Sequence, residues 1–362
     1  MRVRALQLHD WRCWRSVRWM PAPGINCIVG GNGSGKTSLL EALHLLSHGR
    51  SFRSGGTTAL VRQGAARFSV YAEIEHDTGL RRSALQRDLD GTWQARLDGA
   101  AATRLTDVLG SLAVVCFEPG SQGLIAAGPE GRRRFLDWGL FHVEQGFLLA
   151  WQQYRRALLQ RNALLQRGGD SAEFSSWEIR MAEQAVRVDA LRRTYLQRLQ
   201  EPLRRHLGVW LPELGVASLR YQRGWAENED LAAVLRMQRA RDQQTGYTRA
   251  GPQRADWSLE FELARDRHQL SRGQTKLAAL AALLAQFDLH RSLCGETSLL
   301  LLDDLASELD AAHYAAVLDF VRRCDAQVLL TSTAAQCEGL PQASVFHVEQ
   351  AAQDAVEGWG DC

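Results

Sequence analysis

Gly30-Gly31-Asn32-Gly33-Ser34-Gly35-Lys36-Thr37-Ser38 carries the spacing GxxxxGK[ST]. Glycines let a backbone approach phosphate oxygens closely, and the N–H groups and dipole of a following helix N-terminus favour an anion. Lys36 would reach the β- and γ-phosphates of a nucleoside triphosphate, and the Thr37 hydroxyl would hold Mg2+. Near the other end of the chain, Asp303 and Asp304 close the apolar run Leu299-Leu300-Leu301-Leu302. Carboxylates at that place emerge where a buried strand ends, the side on which open α/β sheets hold ligands. Asp303 would complete the Mg2+ site that Thr37 begins, and Asp304 would orient or deprotonate an attacking water. Aspartate is one methylene shorter than glutamate, so slow turnover is expected, that of a switch rather than a motor. A third set, Ser271-Arg272-Gly273-Gln274, precedes the apolar stretch Leu277 to Phe287. A hydroxyl and a glycine at a helix N-terminus suit a γ-phosphate; the plain alternative is a serine N-cap.

The surrounding pattern shows what must position these groups. Val3 to Leu8 alternates apolar and charged residues, and Gly24 to Val29 is a short apolar run stopped by glycine. Both predict strands, the second leading into the glycine loop and a buried helix from Lys36 to Leu46. Residues 68–117 read as a mixed β region. From about 131 to 210 the chain becomes rich in Leu, Ala, Gln and Arg, with helices expected over Leu148–Arg167 and Ser176–His206 and a break at Gly168-Gly169-Asp170. The α/β pattern then returns, with strands at 298–302, 327–331 and 344–348 and a helix over 311–324. The expected organisation is an α/β nucleotide-binding head built from both ends of the chain, 1–130 and 258–362. A helical inserted domain (131–210) and an irregular connection (211–257) separate the two parts.

The 362 residues are 45% hydrophobic and 23% charged, ordinary for a folded chain. Without a run of about 18 uncharged apolar residues, no membrane span is expected. The arginine-rich start lacks a signal-peptide core, and seven widely spaced cysteines without a CxxC read as free thiols, so a cytoplasmic location is expected. A net charge of +2 excludes a global nucleic-acid signature. Lys36 and Lys276 are the two lysines of the chain; every other basic side chain is arginine.

Ser271-Arg272-Gly273-Gln274 resembles the signature motif of ABC-type ATPases, and it stands 32 residues before Asp303, with Ser307-Glu308-Leu309-Asp310 where their D-loop belongs. Wider matches make the chain resemble the RecF family of bacterial recombination mediators. They include Gly31 to Ala42, Gly49-Arg50-Ser51-Phe52-Arg53, Phe135-Leu136-Asp137-Trp138-Gly139 and Gly251-Pro252-Gln253-Arg254. The last departs from the family's GPHRDD pattern at Gln253 and Ala255. The resemblance implies an ABC-type, SMC-like ATPase head that takes ATP and Mg2+. It also implies an ATP-dependent homodimer in which Ser271, Gly273 and Gln274 face the partner's nucleotide. It further implies binding to single-stranded, gapped or double-stranded DNA, and action with RecO and RecR to load RecA. The segment after Phe117 reads Glu118-Pro119-Gly120-Ser121-Gln122 and assigns the Q-loop to no one residue, and Ser332 or Thr333 would stand at the switch position.

For DNA phosphates, the candidates are Arg132, Arg133, Arg134, Arg155, Arg156, Arg192, Arg193, Arg204 and Arg205. The stretch 131–210 holds 14 basic and 8 acidic side chains; the alternative is a solvated face balanced by those acids. Trp11, Trp14 and Trp19 would be stacking groups or strand-packing aromatics, and Arg12 would lie near the nucleotide. A different reading of the same motifs is an ABC-type scaffold that regulates a protein partner without DNA dependence.

Overall fold

The computed structural model describes residues 1–53, 55–56, 58–264, 267–332, 340 and 342–348. Along the chain run β1 (Arg2–Trp11), β2 (Trp14–Trp19), β3 (Ile25–Val29), α1 (Lys36–His48), β4 (Arg67–His76), β5 (Gly79–Asp88), β6 (Trp93–Leu97), β7 (Ala100–Ala101), α2 (Leu105–Leu109) and β8 (Val114–Phe117). Then come α3 (Gly123–Ala126), α4 (Pro129–Val143), α5 (Gln145–Arg167), α6 (Ser171–Trp210), β9 (Ala217–Gln222), α7 (Leu231–Met237), α8 (Arg239–Thr245), β10 (Asp256–Phe261) and α9 (Arg272–Cys294). The last are β11 (Leu299–Leu302), α10 (Leu305–Glu308), α11 (Ala311–Arg323), β12 (Val328–Ser332) and β13 (Ser344–His347). They form two compact units, one of residues 1–121 with 286–362, the other of residues 122–285.

The first unit holds two sheets. One is antiparallel, in the order β2-β1-β4-β5-β6-β7; the other is parallel, in the order β13-β3-β12-β11-β8. β11 and β12 are buried at every residue, and all but the first residue of β3 are. This is why they read as continuous apolar runs rather than alternations. Ten residues of α1, Ser38 to Ser47, are buried, and its leucines join both sheets in one core. The side chain of Gln327, just before β12, copies a strand edge. Its Oε1 accepts the Val3 N–H at 2.7 Å, and its amide donates to the carbonyls of Val3 and Ala22.

Parallel register places the functional residues together. Leu302 stands opposite Phe117 and Ser332 opposite Val29. The loop after β3, Asp303 after β11 and Glu118 after β8 therefore all leave the same edge of the sheet.

In the second unit, a three-residue turn joins α5 to α6, a length that makes neighbouring helices antiparallel. Asp170 caps α6 by accepting the Glu173 N–H at 2.7 Å. Fully buried Arg161 fastens α5 to the rest. It donates to Glu178 at 3.2 Å, Asp242 at 2.7 Å, Thr248 at 2.8 Å and the Leu235 carbonyl at 2.9 Å. Residues 211–257 are not an irregular connection: β9 pairs with β10, and α7 buries Leu231, Val234 and Leu235. A boundary at 258 would cut β10, which pairs with β9 along its whole length, Asp256 to Phe261.

Among the described helices, α9 has a membrane span's length and hydropathy, but 67% of that window is buried within the protein. Cys13, Cys116, Cys294 and Cys324 are free thiols, and Cys27 is buried in β3. Thr333 and the tail from 349 lie outside the described residues.

Candidate nucleotide site

The loop from Gly30 to Gly35 turns with Gly33 at φ +80° and Gly35 at φ +102°. A Cβ on Gly35 would sit 2.8 Å from both Cys13 Sγ and Trp14 Nε1, so glycine is required for space as well as conformation. Two tryptophans back the loop: Trp11 Nε1 donates to the Ser38 carbonyl at 2.8 Å, and Trp14 Nε1 to that of Gly35 at 3.4 Å. Both rings are buried, and so is Trp19, which packs on Phe346. The three are core residues and not nucleic-acid stacking platforms. The Lys36 ammonium donates to the carbonyls of Gly30 at 2.7 Å and Gly31 at 2.9 Å, so it lies across its own loop.

Asp303 is 3% exposed, and one of its oxygens accepts from two hydroxyls, Thr37 at 2.9 Å and Thr331 at 2.8 Å. Thr331, on β12, also accepts the Asp304 N–H at 2.8 Å. It was invisible in the sequence as anything but a strand residue. Asp304 is exposed and left-handed at φ +51°, a conformation a non-glycine residue holds at a cost of order 1–3 kcal/mol. The turn points its carboxylate side toward the cavity that Lys36 and Asp303 line. Burial raises the Asp303 pKa against the hydroxyls that stabilise its charge. Glu118 lines the same cavity; burial, then the charge of Asp303, raises its pKa, while the Gly120 N–H holds its Oε2 at 2.6 Å. It is the first residue after β8, in the segment Glu118 to Gln122 that the sequence left without an assigned Q-loop residue.

The cavity measures about 800 Å³, within the range of nucleotide-sized pockets. Gly33 to Ser38, Asp303 and Asp304 line it, and so do Arg12 and Arg53. Arg12, itself at φ +55°, is clamped: Nε donates to Glu41 at 2.8 Å, Nη1 to the Ala59 carbonyl at 2.7 Å, and Nη2 to the other Glu41 oxygen. Ser51 also donates to Glu41. A hydroxyl beside a buried carboxylate is a hard oxygen pair that suits Mg2+. No group of three His, Cys, Asp or Glu side chains converges among the described residues.

Ser271, Gly273 and Gln274 belong to the other unit. Ser271 and Gln274 form a reciprocal cap on α9. Ser271 Oγ accepts the Gln274 N–H at 3.2 Å, and Gln274 Oε1 accepts the Ser271 N–H at 2.9 Å. Ser271 and Gly273 are exposed.

The arginine candidates divide. Arg132 and Arg192 are buried and cannot meet DNA: Arg132 is paired with Asp256 at 2.7 Å and Arg192 with Asp137 at 2.7 Å. Arg133 donates to the Ala255 carbonyl, Arg193 to Asp189 and Glu227, Arg204 to the Ala217 carbonyl, and Arg134 to Glu130. Arg155, Arg156 and Arg205 are exposed. In the departed motif, Gln253 accepts from the Tyr154 hydroxyl and donates to the Ala250 carbonyl at 3.0 Å, a structural brace.

A glycine loop between a parallel strand and a buried helix, with two acids at the end of the next strand but one and an antiparallel sheet sharing the core, defines an ABC-type ATPase head. A sequence profile described as RecF/RecN/SMC N terminal domain matches residues 2–353. DNA replication and repair protein RecF of Stenotrophomonas maltophilia is 45% identical over 98% of this chain and 100% of its own. That of Shewanella denitrificans is 35% identical over 99% and 100%. The chain belongs to the RecF family of DNA replication and repair proteins. Its fold matches the recombination mediator protein RecF-ATP of the RecFOR pathway with a TM-score of 0.87, at 24% identity, over 96% of this chain and 95% of that one. An Smc head bound to the C-winged helix domain of ScpA matches at 0.57 and 17% identity, over 92% and 90%.

Proposed function

We propose that the chain is a slow, DNA-dependent ATPase that works as an ATP-gated dimer in recombinational repair. The observation that carries this reading is the convergence of Lys36, Thr37, Asp303 and Asp304 on one cavity from strands far apart in the chain. Gly30 to Ser38 would wrap the ATP phosphates with backbone N–H groups, and Lys36 would leave its loop carbonyls for the β- and γ-oxygens. Thr37 and Asp303 would hold Mg2+, which when bound supplies charge to the β- and γ-oxygens. Asp304 would orient water for attack on the γ-phosphorus, giving ADP and phosphate. Ser271, Gly273 and Gln274 of a second copy would close over the same phosphates, so nucleotide would join two heads and hydrolysis would part them. RecF relatives and the RecFOR pathway named for a structural neighbour support a role in DNA repair with RecO and RecR; by the family resemblance that role would be at single-strand gaps and junctions, to load RecA.

Turnover per molecule should rise with protein concentration and rise again with gapped duplex DNA. Activity that is flat in both would remove the shared site and the DNA role. Activity that rises with concentration but ignores DNA would leave the scaffold reading, which the intramolecular pairing of Arg132, Arg133, Arg192 and Arg193 favours.

A further inference from the structure

α5 has 23 residues and not one carboxylate. Its outward face carries Gln152, Gln153, Arg155, Arg156 and Gln160, all exposed, with the exposed Leu149 and Leu159 among them. Among the described residues, neither Arg155 nor Arg156 has an ion-pair partner within 4.0 Å, unlike Arg134, Arg193 and Arg198. Nearby carboxylates are committed elsewhere: Glu144 pairs with Arg198 at 3.3 Å, Asp170 caps α6, and Asp137, which feels the Arg155 charge, pairs with Arg192 at 2.7 Å. α6, by contrast, carries Glu183 between the exposed Arg180 and Arg187. The two arginines and three glutamines of this face, with no acid beside them on α5, offer charge and hydrogen-bond donors to phosphate oxygens, and the two leucines among them repel none.

The aromatic residues of α5 decide what kind of polyanion fits. Phe147, Trp151 and Tyr154 point away from this face and stack on one another, with interplanar angles of 11°. Phe147 and Tyr154 are buried, and the Arg192 guanidinium lies 5.0 Å from the Trp151 ring centroid. Single-strand platforms need exposed aromatic rings for the bases; this face has none. At 1.5 Å per residue the helix is about 34 Å long, close to one turn of B-form duplex.

Resting on the DNA-binding reading above, we infer that the exposed face of α5 docks on the phosphate backbone of duplex DNA. Arg155 and Arg156 are its charged contacts, and the single-stranded part of a gapped substrate lies elsewhere. The face reads no base sequence.

The test is fluorescence anisotropy of the full chain with ATP, on a blunt duplex and on a single strand, across a salt series. Arg155→Ala with Arg156→Ala should weaken duplex binding and make the slope of log K against log salt shallower by about 2, one for each lost phosphate contact. Single-strand affinity and the melting temperature should stay unchanged. Gln152→Glu with Gln160→Glu removes no charged contact and should also weaken duplex binding, while Arg180→Ala with Arg187→Ala should not. An unchanged salt slope in the Arg155 and Arg156 variant would overturn the assignment, as would an equal loss on the single strand. If the unaltered protein binds neither DNA, the DNA-binding reading itself falls; if it binds and the variant matches it, only the α5 face does.

Discussion

Glu41 sits in the middle of the helix that follows the phosphate loop, and its carboxylate is fully buried. It holds Arg12 by two guanidinium nitrogens and Ser51 by its hydroxyl, while Arg12 reaches on to the Ala59 carbonyl. One carboxylate thus ties the β1–β2 turn and the segment after α1 to the helix that carries Lys36 and Thr37. Removing one partner of a buried pair strands the other, at a cost of roughly 3 kcal/mol. Glu41→Gln should lower unfolding stability by about that amount in urea titration and weaken ATP binding. An unaltered denaturation midpoint would show that the clamp contributes nothing. Lys36→Arg should lower kcat by on the order of tenfold or more, because a wide planar fork replaces a compact ammonium held between the Gly30 and Gly31 carbonyls. The Lys36 role was legible because loop spacing alone defines it. Glu41 was not, since its partner Arg12 lies 29 residues away at a left-handed turn that no local pattern announces.

Helices explain which arginines were misread. Neighbouring residues on a helix point about 100° apart, so an arginine pair straddles two faces. In Arg132-Arg133 and Arg192-Arg193 the first member turns inward to a carboxylate and the second stays at the surface. Composition could show the pairs but not the phase of the helix. Long helices such as α5 and α6 were legible from their periodicity. α7 and α8 have seven residues each, two turns apiece, too few for a period to stand out from the polar stretch around them. Asp242, on α8, meets Arg161 with both side chains fully buried. Asp242→Ala should therefore destabilise the protein by about 3–5 kcal/mol. A calorimetric melt shifted by less than the loss of an exposed pair would contradict that role.

At the scale of the whole molecule, the dimer hypothesis hangs on residues that also hold a helix end. Ser271→Arg should keep ATP binding yet abolish ATP-dependent dimers in analytical ultracentrifugation. Ser271→Ala loses the same cap, worth about 1 kcal/mol, and should still dimerise; failure of both would trace to the cap rather than the interface. That the head needs both ends of the chain was legible from the glycine loop at one end and the paired aspartates at the other. How the ends join was not, because strand order rests on contacts across the whole sequence. In the sheet, β3 lies between β12 and β13. The strand that launches the phosphate loop thus has no partner until roughly 300 more residues have been made. On a ribosome adding about 5–20 residues per second, that leaves an apolar segment waiting about 15–60 s for its neighbours. During synthesis, then, the nucleotide-binding half of this protein is the last to become native, and a chain released before β12 would carry every residue of the loop and no site.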